Sequence, residues 1–399
     1  MPIATISRDI RLDTRAFPGT AVTNPSSKEL ATDCIRPPAV VGGLRWWFRA
    51  VAGGILKQKA THKAVAANES RVFGSTEVAA VVRVSTSWES LPAENKGLGY
   101  DGSPVRYLGF GKKNDTAYLP SGFLFKVTLR SNHARELAIA VSLLDLWIEF
   151  GGVGGRWRHG LGSMSRVQTG GRSVGALIQK AVAEMTGWLQ SADGETIDEP
   201  ESPVLHAKFF LLKRKELESV SGEEGALAFC EAAWHGYRLG EESSKPKRNQ
   251  GGRIREGSEV RHSKNSVAFH RFLLEPRQPI PPIRFAMLGM PIPFSVWNEA
   301  KQDRSKGVVV WDQDGGGGRL ASPVWLRPKL EDGRWVVYAL GWKFAAERGR
   351  ALRLAFSTKN PRRGVLVRAD GKQEKAVEDF FASLRDGWSD VVWQDGTKP

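Results

Sequence analysis

The residues of this sequence best suited to binding chemistry lie in a glycine-rich stretch, residues 151–162, GGVGGRWRHGLG. It does not match a dinucleotide-binding fingerprint, because Trp157 stands where the last glycine belongs and the stretch follows a predicted helix instead of a strand. It combines three hydrogen-bond donors with one aromatic ring, in Arg156, Trp157, Arg158 and His159. With glycines that let backbone amides approach a ligand, this composition predicts contact with a sugar-phosphate backbone. The alternative is a flexible turn with solvated charges.

A second basic segment begins at Arg36-Pro37-Pro38 and continues as VGGLRWWFRA over residues 41–50. We expect Gly42 and Gly43 to precede a helix, so that the unpaired amides at its positive end face a phosphate. Arg36 adds a further cation at the start of this segment.

Two arginines of this segment are expected to share one side of that helix. Arg45 and Arg49 are four residues apart and so form a predicted basic stripe. Trp47 and Phe48 fit the apolar side of the helix, whereas Trp46 fits either the core or a stack on a base. The alternative is a surface helix whose arginines are only solvated.

Candidate catalytic residues are sparse. The seven histidines include no pair at metal-ligand spacing, and no G-x-S-x-G nucleophile motif is present. Residues 315–318 are four glycines, but Arg319 follows them where a phosphate loop needs lysine and a hydroxyl. Asp33 is the acid nearest to Arg36 in a long predicted loop, where a turn or cap residue is commoner than a nuclease acid. We therefore predict no catalytic residue, no metal and no cofactor.

The charge of the whole chain favours polyanionic partners. The 399 residues include 58 Lys and Arg against 43 Asp and Glu, which gives a formal net charge of +15. Such a charge concentrates nucleic acid near the protein. The 14 tryptophans supply flat rings that stack on unpaired bases, although a core position is the commoner use of any one of them.

The cysteines and the apolar pattern indicate the compartment. Cys34 and Cys230 are far apart, so they predict neither a disulfide framework nor a cysteine-based zinc site, and a reducing compartment fits best. No run of 18 apolar residues occurs, and the N-terminal residues lack the pattern of a signal peptide. We expect a cytoplasmic protein with no membrane partner.

The elements that position these residues in the first half follow the order strand, helix, strand, strand, helix, strand. After a strand over residues 3–13 and a loop over 17–38, the helix carries Leu44, Trp47, Phe48, Val51 and Ile55 on one face. Strands follow at 78–88 and 122–130, then a helix capped by Asn132 that ends at Phe150, and a strand at 161–168. This order predicts an α+β, ferredoxin-like, RRM-like domain.

The second half contains a comparable set of elements after an acidic linker at residues 190–203, so we predict domains at 1–189 and 204–399. Its predicted elements are a strand at 204–212, a helix at 226–237, strands at 283–294 and 308–312, a hairpin of 324–329 with 335–340, and a helix at 375–384. Residues 243–271 form a basic insertion, which we expect to be exposed and to become ordered on contact with RNA or a partner.

Several motifs together resemble the RAMP superfamily. They are VGGLRWWFRAVAG after Arg36-Pro37-Pro38, ESRVFGSTE at 69–77, GGVGGRWRHGLGSM, LGMPIPF at 288–294 and RLASPVWLRPKL at 319–330. Within the superfamily, the chain resembles the end-capping RAMP subunits of the type III-B CRISPR effector, the Cmr complex. Residues 14–20, TRAFPGT, depart from the pattern of these relatives, and the final 70 residues add nothing to it.

The resemblance implies two ferredoxin-like domains and a non-catalytic subunit that binds the CRISPR guide RNA and its complementary target RNA near the 3′ end of the guide. It also implies other RAMP subunits as partners. The implied RNA contacts are Arg36, Arg45, Arg49, Arg71, Arg156, Arg158 and His159, to which the stacking faces of Trp46 and Trp157 are added. Two alternatives stay open: a RAMP ribonuclease that uses Asp33 with a divalent metal or His159 as acid and base, and a general basic RNA-binding protein outside any complex.

Overall fold

The structure is a computed structural model that describes most of the chain in segments. These are residues 2–17, 26–56, 62–90, 117–168, 173–189, 203–239, 292–298, 303–313, 316–318, 322–343, 351–355, 364–368, 373–384 and 387–391. The chain divides into two compact units. The first comprises Met1–Glu231, Trp325–Trp342 and Asp386–Pro399, and the second comprises Ala232–Val324 and Lys343–Arg385.

The first four-stranded sheet confirms the four strands predicted in the first half, with shorter bounds. They are β1 (Ala4–Leu12), β2 (Arg83–Ser87), β3 (Leu124–Ser131) and β4 (Met164–Arg166). The sheet is antiparallel in the order β2-β3-β1-β4. Ile10 is paired with Phe125, and both belong to the buried face of the sheet, as the alternation of apolar residues in β3 predicts.

Five helices belong to the same part of the chain: α1 (Ser27–Ile35), α2 (Pro37–Leu56), α3 (His62–Phe73), α4 (Ala134–Phe150) and α5 (Val174–Met185). The prediction of a loop over residues 17–38 is wrong at residues 27–35, which form α1. A capping box begins this helix: Ser26 Oγ accepts from the Glu29 amide, and the Glu29 carboxylate accepts from the Ser26 amide. The helices α3 and α5 were not predicted.

Helix α2 begins at Pro37, seven residues before Leu44, the first residue expected after Gly42 and Gly43. Proline suits the first turn of a helix, where its missing N–H costs nothing. Gly42 and Gly43 therefore lie inside the helix and not before it, and their predicted role at its positive end is wrong. Gly43 instead allows a close approach to α4, since a Cβ at this position would collide with the indole of Trp147.

Helix α4 buries the predicted stripe of Leu137, Val141, Leu144 and Ile148. Its N-cap residue is His133, with no side-chain hydrogen bond to the helix, so the predicted capping by Asn132 is wrong. The helix ends at Phe150 as predicted, and the Gly151 amide donates to the Trp147 carbonyl.

The remaining elements are β5 (Phe210–Glu216), α6 (Gly222–Leu239), β6 (Ile292–Asn298), β7 (Asp303–Gln313), β8 (Gly316–Gly318), β9 (Val324–Glu331), β10 (Arg334–Trp342), β11 (Ala351–Ala355), β12 (Gly364–Arg368), α7 (Gln373–Ser383) and β13 (Ser389–Asp390). A second four-stranded sheet has the order β13-β5-β10-β9. When the four strands of each sheet are numbered 1 to 4 in chain order, both four-stranded sheets have the strand order 4-1-3-2. The predicted α+β class with two ferredoxin-like domains is confirmed, and β6, β7, β8, β11 and β12 form a further sheet in the insertions.

Most predicted elements of the second half are confirmed, including α6, α7, β7 and the hairpin of β9 with β10. Asp332 and Gly333 both have positive φ, 46° and 80°, as a type I′ turn requires. The strand predicted at 204–212 is wrong in position, because Val204 and Leu205 are buried against α2 and pairing starts at Phe210.

Three predictions of the sequence concern residues outside the described part. They are the acidic linker, of which only residue 203 is described, the basic insertion at 243–271 and the start of the strand at 283–294. The domain boundaries at 189 and 204 stay a prediction. The first compact unit contains strands from both sides of the predicted linker.

Candidate nucleic-acid interface

The glycine-rich loop joins α4 to β4 through a short 3-10 turn, Trp157–His159. Two of its glycines are required by close backbone approaches. Gly154 has φ 77° and a Cβ there would collide with the Phe17 carbonyl oxygen, whereas Gly162 has φ 63° and faces the Val153 carbonyl oxygen. The glycines thus make the loop compact against its own protein.

The loop amides that the structure pairs are used inside the protein. The Gly155 amide donates to the Phe17 carbonyl at 2.6 Å, and the Gly162 amide donates to the Arg15 carbonyl at 2.8 Å. The expectation that these amides approach a ligand is therefore wrong. The candidate ligand-binding groups of the loop are therefore side chains, those of its 3-10 turn and of Arg156, and not these amides.

Arg158 is a partly buried cation between two indole rings. Its guanidinium carbon lies 5.3 Å from the centroid of the Trp157 ring and 5.6 Å from that of Trp325. Burial lowers the pKa of Arg158 to about 10. Its Nε is buried and has no hydrogen-bond partner among the described residues. A guanidinium that is shielded from water and has no carboxylate partner among the described residues is well suited to bind an anion.

Trp325, in β9, joins the two motifs that were predicted separately. Its ring centroid lies 4.6 Å from that of Trp157 and 4.6 Å from that of Trp46 in α2. Trp46 also contacts Trp47 and Trp342, each at 5.0 Å. The structure therefore brings together Trp46, Trp157 and Arg158. The sequence predicts no role for Trp325, although this residue lies in the motif RLASPVWLRPKL that resembles the RAMP superfamily.

Arg45 and Arg49 both bind the carboxylate of Glu69, in α3. Arg45 Nη1 donates to Glu69 Oε1 at 3.0 Å, and its Nη2 donates to the carbonyls of Phe73 and Gly74, both at 2.8 Å. Arg49 binds both carboxylate oxygens of Glu69, whose side chain is 4% exposed. Hydrogen bonding to the Glu69 carboxylate is the largest cause of the raised pKa of Arg49. The arginines of one motif therefore fix Glu69 of the next, and only Arg49 remains more than half exposed, at 56%.

The other predicted contacts are spread over the first unit. Arg71 stacks on Trp188, 4.0 Å from its ring centroid, and donates to Asn68. Arg36 is exposed between α1 and α2, Arg156 is exposed at the start of the 3-10 turn, and His159 is half-buried at its end. Asp33 lies within α1, half-buried, so its expected position in a loop is wrong.

Buried charges support the loop from β9. Arg327 is fully buried and its Nη1 donates to the Trp157 carbonyl at 3.1 Å, which holds the 3-10 turn. Burial lowers the pKa of Arg327 to about 9, against the opposing effect of Asp13. Two residues on, Lys329 binds Glu149 at 2.7 Å. Sequence reasoning missed both, because buried cations on a strand have no distinctive spacing.

Comparison with known proteins identifies the family. The model of the RAMP superfamily matches residues 10–165, from β1 to β4. The CRISPR system Cmr subunit Cmr1-2 of Pyrococcus furiosus is 30% identical over 150 residues, which cover 32% of this chain and 79% of that relative. The chain belongs to the RAMP superfamily. A second relative from the same organism, the CRISPR system Cmr subunit Cmr1-1, is 35% identical over 143 residues, 34% of this chain and 41% of its own length.

A match to a solved structure covers more of the chain than the family model does. The crystal structure of Cmr1 from Pyrococcus furiosus, in its apo form, matches with a TM-score of 0.57 at 17% identity, covering 99% of this chain and 100% of that one. Within the described segments, no group of three or more His, Cys, Asp or Glu residues is arranged to hold a metal ion. No described helix is long and apolar enough to cross a membrane.

Proposed function

We propose that this RAMP protein is a non-catalytic RNA-binding subunit of a type III-B CRISPR effector complex. In this role it contacts the guide RNA and its complementary target near the 3′ end of the guide, beside other RAMP subunits. The assignment to such a complex is supported by the relatives, both of which are Cmr subunits of CRISPR systems.

The observation that carries RNA binding is the arrangement of Arg158 with Trp157 and Trp325. A guanidinium that is partly buried and has an unpartnered Nε suits a phosphate, and the half-buried indole of Trp157 beside it suits a base. Trp325 is buried and supports both residues from the core. Exposed Arg156 lies next to it and extends the positive surface along the loop.

Binding of single-stranded RNA to the full chain over a range of salt concentrations tests this proposal. If Arg156 and Arg158 each contact a phosphate of single-stranded RNA, Arg156→Gln and Arg158→Gln should each flatten the slope of log K against log salt by about 0.7 units. Both variants should weaken binding to unrelated RNA sequences alike, because phosphates carry no sequence.

Arg334→Gln is the matched control. Arg334 is an exposed arginine outside the loop, with a side chain that is 74% exposed, and it already binds Glu216 at 2.8 Å. Its replacement should leave the slope unchanged. Unchanged slopes in both loop variants would remove the loop from the RNA contacts.

The non-catalytic part of the proposal has its own test. The full chain incubated with guide and target RNA, with and without magnesium, should leave both strands intact. A cut that is lost in Asp33→Asn, while RNA affinity is kept, would establish the ribonuclease alternative instead.

A further inference from the structure

The open face of the first sheet carries side chains in regular rows across β2, β3 and β1. Helix α4 covers the other face, where Asp145 binds Arg8 at 3.0 Å. On the open face, the register places Arg83, Arg130 and Thr5 in one row. Ser85, Thr128 and Ser7 form the next row, and Ser87, Lys126 and Asp9 form the third.

The first of these rows contains two arginines in direct cross-strand register. Arg83 and Arg130 are paired neighbours on β2 and β3, and both are exposed. Neither has a carboxylate within ion-pair distance among the described residues. Like charges directly opposite one another destabilise an antiparallel pair. The fold therefore keeps an unfavourable pair of cations, whose repulsion a bound anion would relieve.

The second row supplies hydroxyl groups beside this pair. Ser7 Oγ and Thr128 Oγ1 are 2.9 Å apart, and Ser85 is exposed at the outer end of the row. In the third row, Lys126 binds Asp9 at 3.3 Å, so its charge is compensated. The positive charge of this face is thus concentrated at the arginine row, with hydroxyl donors about 7 Å further along the strands.

We propose that this open face, defined by Arg83, Arg130 and the hydroxyls of Ser85, Thr128 and Ser7, binds the phosphodiester backbone of RNA. Arginine forks and hydroxyls are the side chains that contact phosphate oxygens. The three rows contain no aromatic side chain, so the face does not stack bases as RRM sheets do, and it binds without regard to sequence. This inference rests on the proposed RNA-binding function, but it concerns a surface separate from the glycine-rich loop.

The test compares full-length wild-type protein with the double variant Arg83→Gln/Arg130→Gln. The probes are an oligouridylate and an oligoadenylate of equal length, titrated at several salt concentrations. Loss of two phosphate contacts to single-stranded RNA should flatten the slope of log K against log salt by about 1.4 units. Affinity for both probes should fall about tenfold or more at the lowest salt, because charge-assisted hydrogen bonds are lost.

Two controls separate binding from folding. Arg135→Gln removes an exposed arginine of α4, the helix that covers the opposite face, and should leave the slope unchanged. The melting temperature of the double variant should stay the same or rise, because the like-charge pair is removed. A lower melting temperature would mean that the arginines stabilise the sheet, and would overturn the proposal.

The outcomes distinguish this inference from the proposed function. If wild-type protein binds RNA and the double variant has an unchanged slope, the open face is not an RNA surface, while the loop stays a candidate. The same holds if the double variant loses only its assembly with other subunits, since the face is then a protein contact. If wild-type protein binds neither probe, the proposed function fails and this inference fails with it.

Discussion

Glu69 is a buried carboxylate whose two oxygens are bound by Arg45 and Arg49. With a side chain that is 4% exposed, it depends on these partners and not on water. The pair also links α2 to α3, since Arg45 continues to the carbonyls of Phe73 and Gly74 at the end of α3. The segment ESRVFGSTE at 69–77 therefore supplies both the carboxylate and the two backbone carbonyls that accept from Arg45.

Replacement of this carboxylate should be costly. Glu69→Gln leaves two arginines without their anion, and the free energy of unfolding should fall by about 3 kcal/mol, the usual order for breaking a buried ion pair. Urea unfolding followed by tryptophan fluorescence measures it. Glu77→Gln is the control, because Glu77 is exposed, and it should change stability by less than about 0.5 kcal/mol. Equal stability of both variants would show that Glu69 is not a structural anchor.

The glycine-rich loop and helix α2 both contain glycines, but for different reasons. Gly154 has a positive φ and no room for a Cβ, whereas Gly42 lies inside α2 with nothing within 4 Å of a Cβ. The loop therefore requires glycine at position 154, whereas the glycine at position 42 only weakens helix α2.

Alanine substitution should separate the two positions. Gly154→Ala should destabilise the protein by about 2 kcal/mol or more, because the loop must move away from Phe17. Gly42→Ala should stabilise it by about 0.5–1 kcal/mol through helix propensity. Thermal and urea unfolding of both variants checks this. A loss of stability in Gly42→Ala would contradict the placement of this residue inside the helix.

The elements that could be predicted are those whose apolar residues face a single partner layer. The alternation in β3 and the stripe of α4 each specify a buried side, and both are confirmed. Helix α1 was missed although Ser26 and Glu29 form a capping box, because the surrounding proline, glycine and serine residues indicate a loop. The strand at 204–212 was misplaced because Val204 and Leu205 use their apolar side chains against Gly53 and Gly54 of α2.

The site was predictable in composition but not in its contacts. The residue types of the loop could be recognised locally, whereas the pairing of Arg158 with Trp325 joins positions 167 residues apart. No local pattern records such a contact. Arg327 could not be predicted for the same reason, because it lies in β9, far along the chain from Trp157, whose carbonyl it binds.

The first compact unit is assembled from three separate stretches of chain. The strands β9 and β10 come from the second stretch, and they supply Trp325 and Trp342 to the tryptophans of α2. They also supply Lys329, the partner of Glu149 at 2.7 Å. The first ferredoxin-like sheet therefore shares its core with strands that lie far along the chain.

A fragment of residues 1–189 should consequently fail to fold as an independent domain. Without β9 and β10, the rings of Trp46 and Trp47 lose their contacts with Trp325 and Trp342, and Glu149 loses its cation. We expect no cooperative thermal transition and strong binding of a hydrophobic dye. Circular dichroism and dye fluorescence measure both, and co-expression with residues 203–399 should restore the transition. A fragment that melts cooperatively at the temperature of the full chain would contradict this expectation.

The discontinuous core also has a consequence for biosynthesis. About 190 residues separate Phe150 from Trp342, and at 5–20 residues per second a ribosome needs about 10–40 s to synthesise them. Throughout that interval the indoles of α2 and the carboxylate of Glu149 have emerged, but the strand that covers them has not been made. The nascent chain therefore exposes an aromatic surface for seconds, long enough for a chaperone to bind it, and its folding is completed only after most of the chain has left the ribosome.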